Sequence, residues 1–291
     1  MHVRRSQCRV SDLGLCQTSR FEFSGFVDFR MVGKNVNAAS AHEIADVSVV
    51  ITCFNYGPYV GAAIRSVLDQ TVRVRQIVAV DDGSTDNSLE VIREFAPPVE
   101  VVTQPNAGVV AAKNLGLGLA TARWIIFLDA DDILDPRYVE KTLGAALRRG
   151  VDVVYTNMTF VGAMTGIVTA RPFNRWSLAR GNYIHNSALM KRDFVREAGG
   201  YKAIMASGFE DWELYLSLAE RGMKAHWVPE SLLSYRRHVG GGRDSGANAQ
   251  RRAILTQVQK LHPSLYTRRR RLIALLHACI MRTASFGASK S

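Results

Sequence analysis

Apolar positions along the chain become regular only from Val47 onward. From there, β-branched runs of strand length alternate with stretches whose apolar residues recur every three or four positions. Val47–Cys53 predicts a first strand. Asn55–Pro58 supplies turn chemistry, and Tyr59–Gln70 sets Val60, Ile64, Val67 and Leu68 on one helical face. Gln76–Val80 predicts a second strand, Asn87–Phe95 a helix, Val99–Thr103 a third strand and Ala107–Ala120 a helix of small residues. Trp124–Leu128 predicts a fourth strand and Pro136–Arg149 a helix with proline near its first turn. Val151–Thr156 predicts a fifth strand. Beyond it, residues 157–209 read as short strands and loops. Phe209–Gly222 then predicts a helix closed by glycine, and Lys224–Val228 and Leu232–Arg236 two more strands.

Strands alternating with helices in this way predict an α/β fold with a mostly parallel sheet flanked by helices. Such sheets bind ligands outside the carboxyl ends of their strands. Three polar clusters, Thr52–Asn55, Asp81–Asp86 and Asp129–Asp132, follow strand ends and should converge on one rim.

Composition narrows the class. The 291 residues are 47% hydrophobic and 22% charged, which excludes wholesale disorder. Cys8, Cys16, Cys53 and Cys279 match neither a zinc spacing nor a disulfide scaffold, which points to a reducing compartment. No apolar run reaches the roughly 18–20 residues of a membrane span, and no signal-peptide core follows Arg4 and Arg5. The expected location is the cytoplasm, with peripheral attachment at the inner face of the membrane. Residues 1–46 read as a poorly ordered leader, of which 1–30 could lie upstream of a start at Met31. The net charge of +11 suggests nucleic acid or a membrane surface. However, residues 231–291 hold 12 of the 37 basic residues and one of the 26 acidic ones, so residues 1–230 are electroneutral. The excess belongs to a basic helical extension, residues 239–291. Arg268–Arg271 there precede an apolar stripe from Leu272 to Ile280, and residues 264–291 are expected either to touch anionic lipid or to pack on the domain as a solvated basic helix.

The rim carries the chemistry. Asp129, Asp131 and Asp132 repel one another unless a cation neutralises them, and hard oxygen ligands suit Mn²⁺ or Mg²⁺. The competing reading is a helix-capping cluster. Asp82 is the favoured ligand-binding carboxylate of its loop, while Asp86 is as well explained by capping. Lys113, on the Ala/Gly-rich helix, is either a phosphate contact or a solvated lysine. Glu210 and Asp211 open a helix, as caps or as a general base. His238 is a further candidate ligand.

These segments together, namely Ser48–Tyr56, Val80–Asp86, Asn106–Gly108 with Lys113–Gly116, Phe127–Asp132 and Glu210–Asp211, resemble the family 2 inverting glycosyltransferases of the GT-A (Rossmann-like) fold. The resemblance covers residues 47–238. It implies a nucleotide-sugar half, 47–156, and a smaller acceptor half, 157–238. It further implies a nucleotide-sugar donor, usually a UDP-sugar, and a glycan or lipid-linked acceptor in cell-surface polysaccharide synthesis. Thr52, Asn55, Asp81, Asp82, Lys113 and Asp129 would bind the donor. Asp131, Asp132 and His238 would hold the metal, and Asp211, beside Glu210, would be the base. Trp176 and the segment from Tyr183 to Tyr201 would line the acceptor site. Two departures stand out. Lys113 replaces the arginine of many members, and Tyr235–His238 stands where processive synthases carry Gln-x-x-Arg-Trp, which favours transfer of one sugar. Two rivals fit less well. A sugar nucleotidyltransferase would carry a basic Gly-rich loop after the first strand, where Phe54–Pro58 has no basic residue. A nucleic-acid binder would not have an electroneutral body.

Overall fold

The computed structural model describes residues 44–239 and 251–266. Its first half is the alternation read from the sequence. β1 (Ala45–Cys53), α1 (Gly57–Leu68), β2 (Val74–Asp81), α2 (Ser88–Arg93), β3 (Val99–Thr103), α3 (Val109–Leu119) and β4 (Trp124–Asp129) follow in turn. Then come β5 (Ile133–Leu134), α4 (Tyr138–Arg149), β6 (Val153–Gly162), β7 (Gly166–Val168), α5 (Arg175–Leu178), β8 (Leu189–Lys191) and α6 (Arg192–Glu197). α7 (Glu210–Glu220), β9 (Ala225–Arg237), α8 (Arg251–Leu261) and α9 (Pro263–Tyr266) complete the described chain.

One sheet runs in the order β3-β2-β1-β4-β8-β6-β9-β5, with β7 paired to β6. β3, β2, β1 and β4 are mutually parallel, and β8 is antiparallel to both β4 and β6. Both faces are covered. Val47, Val49 and Ile51 pack toward α1, α2 and α4, while Val50 points to the opposite core with α3, α7 and α8. Burial on both sides explains why these strands read as apolar runs rather than alternations.

The two strands expected between 224 and 236 are one, β9. Its pairing with β6 passes from Thr156↔Val228 to Asn157↔Ser231, so Pro229 and Glu230 form a bulge. Proline has no N–H to give the ladder, which is why the sequence pattern breaks there without the strand ending. β5 and β8 span two and three residues, too short to show a period.

The described part of the C-terminal extension is helical and buries one face. Ile254, Val258 and Leu265 join the core beneath α7. His262 is 1% exposed and lies within hydrogen-bond distance of both Glu213 and Glu220. The leader up to residue 43 and the expected lipid-binding stretch from 267 onward lie outside the described residues. Among the described residues no helix is long and apolar enough to cross a membrane.

Candidate active site

Parallel register brings the three polar clusters to one edge. Thr52 pairs with Val80 on one side and Asp129 on the other, so the ends of β1, β2 and β4 are level. Past β1, Asn55 adopts a left-handed φ of 58°. Its Oδ1 accepts from the N–H groups of Thr85 (2.8 Å) and Asp86 (3.3 Å), and its own N–H donates to Ser84 Oγ. Asn55 therefore holds the 81–86 loop. Asp86 does the same from the other direction, accepting from Gly57 N–H and from Ser88, and these bonds lower its pKa against its burial.

The neighbouring carboxylates Asp81 and Asp82 differ in a way the sequence did not show. Asp82 is saturated: Oδ1 accepts from Gln104 Nε2 (2.6 Å) and Ala107 N–H (2.9 Å), and Oδ2 from Gly108 N–H (2.9 Å). It fixes the entry to α3. Asp81 accepts only from Ser84 N–H, and its buried Oδ1 has no partner. Asp81 rather than Asp82 thus has acceptor capacity left for a ligand. Phe54, absent from the sequence candidates, is 40% exposed just beyond β1. An exposed large aromatic immediately after a strand end was the signal available.

At the end of β4 the three aspartates also separate. Asp132 is 2% exposed and accepts Arg236 N–H at 2.9 Å, so it ties β4 to β9 inside the protein. Burial, with the charges of Asp129 and Asp131, holds its carboxyl well above the usual range. Asp131 faces His238, Oδ2 to Nε2 at 2.8 Å. Burial and the Asp129 charge raise the Asp131 pKa, against the lowering effect of His238. The His238 ring is flanked by Tyr56 and Tyr59, with centroids at 5.7 and 5.5 Å. Arg236 lies over Tyr59 at 4.7 Å. This aromatic bracket was not foreseen, because it joins residues more than 170 positions apart. Among the described residues, no group of three His, Cys, Asp or Glu side chains forms a metal cluster.

Lys113 corrects another expectation. It is 1% exposed and offers no ammonium to the open rim. Its Nζ donates to Asn186 Oδ1 (3.0 Å) and Glu210 Oε1 (2.9 Å) and lies 3.5 Å from Asp129 Oδ1. The helix can come this close because residue 116 is glycine: a Cβ there would sit 2.2 Å from Val50 Cγ1. Lys113 is thus an internal counter-charge joining α3, β4 and α7.

Asp211 follows Glu210 at the start of α7. Oδ2 accepts from Asn182 Nδ2 at 2.8 Å and Oδ1 from Trp212 N–H at 2.7 Å. Burial and the Glu210 charge push its pKa up to about 7, although Lys113 and the Trp212 N–H pull it down. A carboxylate poised near neutrality, partly open to solvent and held in one orientation, suits a general base.

The chain matches the family described as "Glycosyl transferase family 2" over residues 48–212. It is 27% identical over 212 residues to "Uncharacterized glycosyltransferase YibD" of Escherichia coli K12, covering 66% of this chain and 61% of the relative. It is 29% identical over 193 residues to a chondroitin synthase of Pasteurella multocida, covering 64% of this chain and 20% of the relative. The chain therefore spans less than two thirds of these relatives. Among solved structures, S. aureus TarS 1–349 in complex with UDP-GlcNAc superposes with a TM-score of 0.60 at 16% identity. That match covers 68% of this chain and 60% of TarS 1–349. Mannosyltransferase PcManGT from Pyrobaculum calidifontis, in complex with GDP-Man and Mn²⁺, superposes with a TM-score of 0.55 at 18% identity, covering 84% and 79%. These likenesses show the GT-A type of fold.

Proposed function

The chain belongs to glycosyl transferase family 2, and from that premise we propose that it transfers one sugar from a nucleotide-diphospho-sugar, in the first instance a UDP-sugar, to a hydroxyl of a glycan or lipid-linked acceptor, with inversion, in polysaccharide synthesis. The observation that carries the reading is the placement of Asp211. It is oriented by Asn182 and Trp212 N–H and linked through Glu210 and Lys113 to Asp129 at the donor rim. The chondroitin synthase and the UDP-GlcNAc complex support the choice of donor and pathway class.

In this reading the donor's nucleobase lies against Phe54, and Asp81 Oδ1 accepts an N–H from that nucleobase. Asp129 serves the donor's ribose or diphosphate. Asp131 and His238 would hold a divalent cation. The donor set fits: a carboxylate and an imidazole are already together, 2.8 Å apart. Asp132 is engaged elsewhere and takes no part. The Mn²⁺ in the PcManGT complex supports the same assignment. When bound, the cation supplies positive charge for the departing diphosphate. Asp211 removes the proton from the acceptor hydroxyl as its oxygen bonds to the anomeric carbon. The bond from that carbon to the diphosphate oxygen breaks, and the nucleoside diphosphate leaves with the electron pair.

A panel of nucleotide sugars incubated with the protein and Mn²⁺ tests this by nucleoside diphosphate release. Release from one donor, with UDP-sugars ahead of GDP-sugars, is expected. Diphosphate release from a nucleoside triphosphate plus sugar phosphate, with no donor turned over, would overturn it.

A further inference from the structure

The loop that reaches the base from the acceptor side is cationic without compensation. Between Val153 and Met190 the chain carries Arg171, Arg175 and Arg180 and no acidic residue. All three arginines are exposed, and no carboxylate among the described residues pairs with them. Exposed Arg75 and Arg137 are paired with carboxylates, whereas others, such as Arg73 and Arg93, are not among the described residues, so it is the clustering of three arginines without an acidic residue that sets this segment apart.

The first two are also held in place. The Arg171 guanidinium stacks 4.3 Å from the Tyr183 ring centroid, and Arg175 lies 4.6 Å over Trp176. Tyr183 is fixed in turn, its OH bonded to both the N–H and the C=O of Asn174. The Arg171 guanidinium also donates to the Tyr183 hydroxyl, and a guanidinium held against an aromatic ring in this way is pre-oriented, so it loses little freedom when its remaining N–H groups meet an oxyanion. The position matters as much as the charge. Tyr183 follows Asn182, which holds Asp211 Oδ2, and Trp212, next to Asp211, donates its Nε1–H to Leu178 O at 2.7 Å. The 174–183 segment is therefore anchored on either side of the base.

We propose that the acceptor is anionic: it carries a carboxylate or phosphate close to the attacked hydroxyl, and Arg171 and Arg175 receive it. This rests on the transfer reading above and names the chemistry of its second substrate. A charge-assisted, bidentate contact of this kind is worth about 1.5–3 kcal/mol, so about tenfold or more in affinity.

The test uses three ligands on one sugar skeleton: methyl β-glucoside, methyl β-glucuronide and methyl β-glucoside 6-phosphate, each titrated against protein saturated with UDP and Mn²⁺. Binding of at least one anionic form about tenfold tighter than the neutral one is expected. The glucuronide alone would identify a carboxylate, the 6-phosphate alone a phosphate. The advantage should fall towards unity in the Arg171→Gln/Arg175→Gln double variant and survive in part in Arg171→Lys. Neither anion binding better than the neutral glycoside, or an advantage that persists in the double variant, overturns the proposal. Donor turnover is measured separately, so loss of the transfer reading shows as no nucleoside diphosphate release rather than as lost discrimination.

Discussion

Lys113 is where single side chains decide most. One buried ammonium serves Glu210, Asn186 and Asp129, and a charge taken out of water is tolerated only while its partners remain. Lys113→Met should cost about 3–5 kcal/mol, because it removes the buried counter-charge of Glu210. A drop in urea midpoint without change of slope would show this. Asp211 makes the second residue-scale prediction. Its folded pKa of about 7 lies above its ordinary 3.8. The stability it contributes is therefore complete below about pH 3.8 and lost as pH rises through about 7. Activity runs the other way, since only the carboxylate accepts a proton. Acceptor-dependent kcat/KM should rise with pH to a plateau above about 7, and a profile flat from pH 5 to 8 would contradict the base assignment.

At the scale of elements, α3 must sit directly on β1 for Lys113 to reach α7. Gly116→Val would drive a side chain into Val50, and overpacking of this sort costs about 1–3 kcal/mol. Thermal melting would detect it, whereas Gly118→Ala on the same helix, with nothing near a new Cβ, should melt unchanged or higher. What could be read in advance follows the same physics. β1 to β4 were legible because burial on both faces writes an apolar run, and the rim clusters because parallel strands end on one side. Roles within a cluster were not legible. Asp81 and Asp82 are adjacent, yet one closes the entry to α3 and the other keeps an unpartnered oxygen, a difference set by where Gln104 and Gly108 arrive from another strand. The Asp131–His238 contact spans 107 residues and depends on β9 running unbroken past the Pro229 bulge, which no local pattern records.

Across the whole molecule, charge sorts into regions with different tasks. The excess of +11 lies in residues 231–291, the rim at the ends of β2 and β4 is acidic, and the 153–190 segment is cationic beside Asp211. The described start of the basic extension is not a loose tail. α8 and α9 close over α7, the helix that opens with Glu210 and Asp211. The strand-end rim and Asp211, the proposed base, thus share one scaffold, with Lys113 joining Asp129 to Glu210. The most direct test of the account is to compare the protein with Asp211→Asn, an isosteric change, for UDP affinity and for sugar transfer with Mn²⁺. UDP binding should stay within about twofold of the parent, while transfer falls by about 10²–10⁴, the range supplied by a positioned base. Transfer undiminished in Asp211→Asn would contradict it.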